Sequence, residues 1–181
     1  MIFLLDSEIK KVIKYKKELE SKFNLKVSFQ KNYVSIDGDA VDEYMAESVV
    51  KAIAVGFDIR IAMLLSDSDF LLEEINIRSY ATGKRLQQVK ARIIGTKGKA
   101  LKTLMQLTDC SIVLHENKVE IIGLTENVKL AIQSLQSIIR GSKHGNVYAR
   151  LERLMAKPEP KDLGLREFKM PKKKIKNKKA L

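Results

Sequence analysis

The sequence predicts an α+β fold made of two copies of one small module. Residues 111–123 of this 181-residue chain indicate two short strands, and an amphipathic helix follows them. A similar order of residues occurs 85 positions earlier in the chain. Between two helical segments of the later copy, "RIIGTKGKALKTL" at 92–104 contains two glycines that predict a loop. Each copy is therefore expected to run strand, two helices, two strands and a long helix.

The first copy is predicted over residues 1–57. "IFLL" at 2–5 is its candidate first strand. "SEIKKVIKYKKELE" at 7–20 contains no glycine, so we expect it to run as an uninterrupted helix. "LKVSF" at 25–29 and "NYVSIDG" at 32–38 predict two further strands, and a long helix follows them.

Residues 58–74 are interpreted as the junction between the copies. Asp67, Ser68 and Asp69 lie within this range, and we expect them to cap a short helix. The junction contains no flexible Gly/Ser linker, so the two halves are expected to pack against each other.

The second copy is predicted over residues 75–141 and opens with the candidate strand "INI" at 75–77. The hairpin at 111–123 has Glu116 and Asn117 as its two-residue connection. An amphipathic helix should follow over residues 126–140 and end at a glycine.

Matching residues at a spacing of 85 align the two copies. "NKVEIIG" at 117–123 falls on "NYVSIDG" at 32–38 and shares its Asn, Val, Ile and Gly residues. The copies differ in the glycine loop, because its glycines map to Lys10 and Ile13. The first copy is therefore predicted to lack the loop. The alternative interpretation is two unrelated units whose residues align by chance.

The glycine loop of the second copy has the properties of a phosphate site. Each helical glycine costs about 1 kcal/mol relative to alanine, so Gly95 and Gly98 indicate a turn between helices. Glycine accepts positive φ and has no Cβ, which allows another backbone to come close. The first N–H groups of the next helix point at the loop, and Lys97, Lys99 and Lys102 add positive charge. An ordinary turn with solvated lysines is the alternative.

The composition indicates a polyanionic partner. The chain has 34 Lys and Arg against 22 Asp and Glu, a net charge of +12. Its longest apolar stretches, such as "IAMLL" at 61–65, are far shorter than the roughly 18 residues of a membrane span. The start "MIFLLDSEIKK" has no basic leader, so we expect a cytoplasmic protein without a membrane partner.

No constellation of residues indicates catalysis. Cys110 is the only cysteine and is expected in the core. His115 and His144 have no cysteine neighbours at ligand spacing, so no metal site is predicted. Nucleophile elbow, P-loop and H-E-x-x-H patterns are absent from the sequence. We therefore expect neither enzyme activity nor a cofactor.

The order strand, helix, G-x-x-G, helix, strand, strand, helix resembles a type I KH domain, a module that clamps about four single-stranded nucleotides. The amino-acid sequence of this region is similar to the second KH domain of the ribosome-assembly factors called partner-of-Nob proteins, especially archaeal ones. "GKALKT" at 98–103 and "GSKHGNVY" at 141–148 are the most specific stretches of a resemblance that covers about residues 1–155.

This resemblance implies two tandem type I KH-like domains and an RNA-binding protein of small-subunit assembly that is not itself a nuclease. The implied partners are the single-stranded 3' end of small-subunit rRNA, the pre-rRNA endonuclease that matures this end, and other assembly factors. Many archaeal members keep a G-x-x-G in the first copy, which this chain does not. Residues 1–57 are therefore interpreted as a degenerate KH-like domain and residues 75–141 as the intact KH domain.

The second copy is expected to clamp a short strand of RNA. Its glycines would admit the sugar-phosphate backbone, and Thr96 and Lys97 would face that backbone. The bases would lie on an apolar groove formed by Ile94, Leu101, Ile112 and Leu114. The full predicted site consists of Arg92, Ile94, Gly95, Thr96, Lys97, Gly98, Lys99, Leu101, Lys102, Ile112 and Leu114.

The C-terminal part is predicted as a helix at 142–156 and a basic disordered tail at 157–181. The tail has ten Lys or Arg against three acidic residues. Such a tail could bind phosphates or only improve solubility.

Two other classes of function remain open from the sequence. The KH copies could form a protein-interaction scaffold, which the lost loop of the first copy favours for that half. A hydrolase that acts on RNA is disfavoured, because no cluster of carboxylates or histidines is found.

Overall fold

The computed structural model describes residues 2–156, so the predicted tail at 157–181 lies outside the described residues. The first half follows the order strand, two helices, two strands and a long helix that was predicted for both copies. It consists of β1 (Ile2–Phe3), α1 (Asp6–Ile13), α2 (Lys16–Phe23), β2 (Lys26–Phe29), β3 (Tyr33–Asp37) and α3 (Ala40–Val55). Its strands form an antiparallel sheet in the order β1-β3-β2.

The helix expected to be uninterrupted over residues 7–20 is divided, so this prediction is wrong. α1 ends at Ile13, and the Tyr15 amide donates to the Val12 carbonyl at 2.9 Å in a tight turn. α2 starts after this turn and buries Leu19 and Phe23 in the same core as Val12. Both short helices thus bury their apolar residues in one core.

The junction contains a short helix, α4 (Ile59–Ala62), and a 3₁₀ turn at Met63–Ser66. Asp58 caps α4, because its carboxylate accepts the Arg60 amide at 3.0 Å. The cap predicted at Asp67, Ser68 and Asp69 is therefore wrong. Asp69 instead donates its amide to the Asp67 carboxylate at 3.1 Å, which stabilises the turn before the next strand.

The second half repeats the order of elements and adds a final helix. It consists of β4 (Phe70–Asn76), α5 (Gly83–Ile94), α6 (Lys99–Thr108), β5 (Ser111–His115), β6 (Lys118–Leu124), α7 (Thr125–Arg140) and α8 (His144–Met155). Its antiparallel sheet has the order β4-β6-β5. β4 begins at Phe70, so the strand predicted at 75–77 starts inside the range assigned to the junction.

The spacing of 85 holds for most of the two halves. α3 and α7 each have 16 residues and begin 85 positions apart. Asn24 and Asp109 end α2 and α6 in the same left-handed conformation, with φ of 48° and 51°. The first strands are offset by only 73, since Ile2 pairs with Val34 and Ile75 pairs with Val119. The second half therefore has twelve more residues between its first strand and its glycine loop than the first half has between its first strand and the equivalent corner.

Strand β6 is buried on both faces, which joins the two halves. Val119 and Ile121 face the core under α5, α6 and α7. Ile122 on the opposite face is 1% exposed and belongs to the core of the first half, together with Leu72 and Val113. The expected packing between the halves is thus present. Within residues 2–156, every helix is too short or too polar to span a lipid bilayer.

Candidate nucleic-acid interface

The glycine loop lies between α5 and α6 and has an unusual backbone. Gly95, Lys97 and Gly98 all have positive φ, of 70°, 53° and 75°. The side chains of Thr96 and Lys97 are exposed at the tip of the loop. This conformation presents a short stretch of backbone and one lysine to solvent, as a phosphate site requires.

The two loop glycines are required for different reasons. A Cβ added to Gly95 would lie 2.5 Å from the Cβ of Ala100, so the loop packs tightly against the first turn of α6. A Cβ added to Gly98 would meet no atom within 4 Å. Gly95 therefore closes the loop onto α6, whereas Gly98 leaves open space on the solvent side.

Positive charge surrounds the start of α6. The helix begins at Lys99, so its first backbone N–H groups have no acceptor inside the helix and lie next to the loop. Lys97, Lys99 and Lys102 are all exposed. The helix dipole and the three lysines favour an anion at this position.

Three of the four predicted groove residues are available to a ligand. Ile94 is 37% exposed at the end of α5, and Leu101 and Leu114 are half-buried. Ile112 is only 3% exposed and lies in the core of the second half, so its assignment to the base-binding groove is wrong. Successive side chains of a strand point to opposite faces, and the Ile112 side chain is on the face of β5 that packs against the helices.

Arg92, predicted as an RNA-binding residue, makes a hydrogen bond within the protein. Its Nη2 atom donates to the Ser142 carbonyl at 2.7 Å, at the corner between α7 and α8. The guanidinium group thus joins α5 to this corner. The sequence placed Arg92 correctly next to the loop, but a contact 50 residues away has no sequence signal.

Two residues near the loop were missed by the sequence analysis. His144 Nε2 lies 2.9 Å from the Arg92 carbonyl, and the Tyr148 hydroxyl donates to the Ala100 carbonyl at 3.4 Å. Burial raises the pKa of Tyr148 above its ordinary value. Both residues belong to the "GSKHGNVY" stretch. The resemblance of this stretch to the KH family was the one feature of the sequence that could have drawn attention to them.

The first half has no equivalent loop. Lys10 and Ile13, which correspond to the loop glycines at a spacing of 85, lie within α1. Among residues 2–23, no residue has positive φ. The described part of the chain also contains no group of three or more His, Cys, Asp or Glu that could hold a metal ion.

Comparison with known proteins assigns the second half to a family. Residues 71–156 match the model of the second KH domain of PNO1, described as a eukaryotic type KH-domain of type I. This part of the chain is a type I KH domain. The sheet order β4-β6-β5 and the loop at 95–98 are therefore the sheet and the G-x-x-G loop of a KH domain.

Two relatives match about three quarters of this chain. A KH domain-containing protein of Methanocaldococcus jannaschii is 31% identical over 145 residues, which cover 76% of this chain and 64% of that protein. The pre-rRNA-processing protein PNO1 of Debaryomyces hansenii is 30% identical over 140 residues, which cover 74% of this chain and 54% of that protein. The chain thus spans less than two thirds of the length of either relative.

The fold has a counterpart among solved structures. A chain in the crystal structure of the a/eIF2alpha-aDim2p-rRNA complex from Pyrococcus horikoshii superposes with a TM-score of 0.77 at 28% identity. The match covers 85% of this chain and 92% of that chain, so it includes residues outside the KH domain at 71–156. The predicted α+β KH-like fold is confirmed.

Proposed function

We propose that this chain binds single-stranded RNA and acts in assembly of the small ribosomal subunit, where it holds the 3' region of the rRNA during maturation. The loop at 95–98 carries the proposal, because its positive-φ backbone and exposed Lys97 form a phosphate site beside an apolar groove. A relative named as a pre-rRNA-processing protein and a structural neighbour in a complex with rRNA support this class of ligand.

The geometry suggests how the strand is held. Its phosphates lie at the loop and the start of α6, near Lys97, Lys99 and Lys102. Its bases lie on the surface formed by Ile94, Leu101 and Leu114, whose side chains remain partly exposed. None of these three side chains is aromatic, so base recognition depends on apolar fit and hydrogen bonds rather than on stacking.

The remaining parts of the chain have supporting roles in this proposal. Residues 1–57 form a degenerate KH-like domain whose helices cover the second sheet. The intact KH domain includes β4 and therefore begins near Phe70 rather than at residue 75. Lysines at 157–181 add nonspecific contacts to phosphates. The pre-rRNA endonuclease and other assembly factors are the proposed protein partners.

Reversal of charge at the loop tip tests RNA binding. Aspartate at Gly95 would collide with Ala100, so the substitutions are placed at the exposed Thr96 and Lys97. The variant Thr96→Asp, Lys97→Asp should bind a short RNA from the 3' end of small-subunit rRNA at least about tenfold more weakly, since it repels phosphate. Fluorescence anisotropy with the full chain measures the dissociation constant.

The matched control is Thr96→Asn, Lys97→Asn, which has the same size but no negative charge. Asparagine also tolerates the left-handed conformation at position 97, so the loop keeps its shape. The control should bind RNA more tightly than the aspartate variant. Wild-type affinity in a folded aspartate variant would contradict the proposed site.

A protein-interaction scaffold is the second candidate function. The first half favours it, because Lys10 and Ile13 lie in helix α1 where a loop would be needed for RNA. A scaffold would show weak RNA affinity even at low salt, whereas the RNA-binding protein should bind with a steep salt dependence.

A further inference from the structure

Helix α8 contacts both ends of the glycine loop, and we propose that Arg92, His144 and Tyr148 are positioning residues that set the loop geometry for RNA. These residues act through the ends of α5 and α6 and do not touch the RNA themselves. The inference deepens the proposed RNA binding and rests on it.

The first contact holds the end of α5. The Arg92 carbonyl lies in the last turn of this helix, where backbone carbonyls have no partner within the helix. His144 Nε2 lies 2.9 Å from it. A carbonyl only accepts, so His144 must donate from Nε2, which fixes its proton on that nitrogen. The contact lies three residues before Gly95 and therefore fixes where the loop begins.

The second contact holds the Arg92 side chain away from the loop. Its Nη2 donates to the Ser142 carbonyl at 2.7 Å, and its Nε is buried without a hydrogen-bond partner among the described residues. One side of the guanidinium group is thus engaged by the protein itself, although the group is only partly buried. Arg92 thus ties α5 to the corner between α7 and α8.

The third contact holds the start of α6. The Tyr148 hydroxyl donates to the Ala100 carbonyl at 3.4 Å. Ala100 is the residue against which Gly95 packs, so this long contact lies at the other end of the loop. His144 and Tyr148 are four residues apart on one face of α8, and their rings lie 6.0 Å apart.

Helix α8 is itself firmly placed. Val147 is 6% exposed and Leu151 is 1% exposed, and both belong to the core of the second half. The polar face of α8 therefore has a fixed distance from α5 and α6. Loss of its hydrogen bonds should loosen the loop while the core stays packed.

The first half provides an internal comparison. Lys11 on α1 donates to the Ala54 carbonyl at 2.9 Å, at the C-terminal end of α3. Arg92 instead reaches the Ser142 carbonyl just beyond α7, and at the spacing of 85 Lys11 corresponds to Thr96, so the two contacts are similar in kind but not in position.

Hydrogen exchange in the free protein tests the positioning without RNA. The Gly95 amide donates to Ala91 at 2.8 Å and the Gly98 amide donates to Gly95 at 3.2 Å, so both report opening of the loop. In the full chain, His144→Ala should raise their exchange rates roughly tenfold, the change that loss of one hydrogen bond gives. The core amide of Ile121 should keep its exchange rate.

Two further variants make this measurement specific. His144→Gln retains an amide that can donate to the same carbonyl and should largely restore slow exchange at both glycines. Arg150→Ala removes an exposed charge from α8 and should leave exchange at both glycines unchanged. Unchanged exchange at Gly95 and Gly98 in His144→Ala would overturn the positioning role.

The salt dependence of RNA affinity separates positioning from phosphate contact. Arg92→Ala should weaken binding up to about tenfold while the slope of log K against log salt stays the same. Lys97→Ala should reduce that slope by about 0.7, the value for one phosphate on a single strand. A comparable reduction in Arg92→Ala would overturn the inference. Absence of RNA binding by the wild type would instead overturn the proposed function, while the exchange rates still decide whether α8 positions the loop.

Discussion

Gly95 and Gly98 share a residue type but differ in their surroundings. Gly95 has φ 70° and ψ 179°, a region that is nearly restricted to glycine, and it packs on Ala100. Gly98 has φ 75° and ψ 6°, a left-handed conformation that other residues can adopt at a cost, and its Cβ position is empty. One glycine therefore maintains the loop and the other leaves its outer side open.

Alanine substitution should distinguish the two glycines. Gly95→Ala should lower the free energy of unfolding by about 2–3 kcal/mol, because backbone strain adds to the collision with Ala100. Gly98→Ala should cost about 1 kcal/mol from strain alone. Urea unfolding of both variants measures the difference. Equal losses would show that the close contact between Gly95 and Ala100 contributes little.

At the scale of secondary-structure elements, the α5–α6 corner and the α1–α2 corner occupy equivalent places but differ in chemistry. The former contains the glycine loop, and the latter contains the tight turn at Lys14–Tyr15. The proposed role of the first half in packing or in binding a protein partner is consistent with this difference.

Binding of a short 3'-end RNA should perturb the backbone amides of only one corner. We expect large chemical-shift changes around residues 92–104 and at Leu114, where the loop and the groove lie. Residues 7–20 should change little, because Lys10 and Ile13 lie in helix α1 rather than in a loop. NMR titration of the full chain is the measurement. Shifts of equal size around residues 7–20 would mean that the first half also binds RNA.

The sequence predicted elements whose signals are local. The hairpin around Glu116 and the 16-residue helix α7 both follow from short-range patterns. The break at Lys14–Tyr15 could not be predicted, because Ile9, Val12, Leu19 and Phe23 fall on one stripe of a continuous helix as well. Contacts such as Arg92 with Ser142 depend on the tertiary fold and leave no periodic signal.

At the scale of the whole molecule, an acidic group lies at the boundary between the halves. Glu120 on β6 is 6% exposed and pairs across the sheet with Glu74 on β4. Burial, and then the charge of Glu74, raise the pKa of Glu120 to about 7, although Lys118 acts in the opposite direction. Glu8 and Lys51 of the first half line the same cleft.

This pKa predicts a stability that falls as pH rises from about 4.5 to 7. The folded chain keeps the Glu120 proton up to about pH 7, whereas an unfolded glutamate loses it near its ordinary value of 4.5. Glu120→Gln cannot ionise, so its stability relative to wild type should increase over this range, by at most about 3 kcal/mol. Urea unfolding of both proteins at pH 5 and pH 8 measures this. If the difference in free energy of unfolding between the two proteins were the same at pH 5 and pH 8, the raised pKa would be contradicted.

Strand β6 has a consequence for any attempt to dissect the chain. Its Ile122 side chain, with Leu72 and Val113, is covered only when the first half is present. A fragment cut before Phe70 would keep the glycine loop but expose this apolar face of its sheet to water. Such a fragment should self-associate in sedimentation experiments. Residues 1–156, in which this face is covered, should unfold in a single transition. The half with the glycine loop thus depends on the first half to cover this face of its sheet, so the first half contributes to solubility even without a loop of its own.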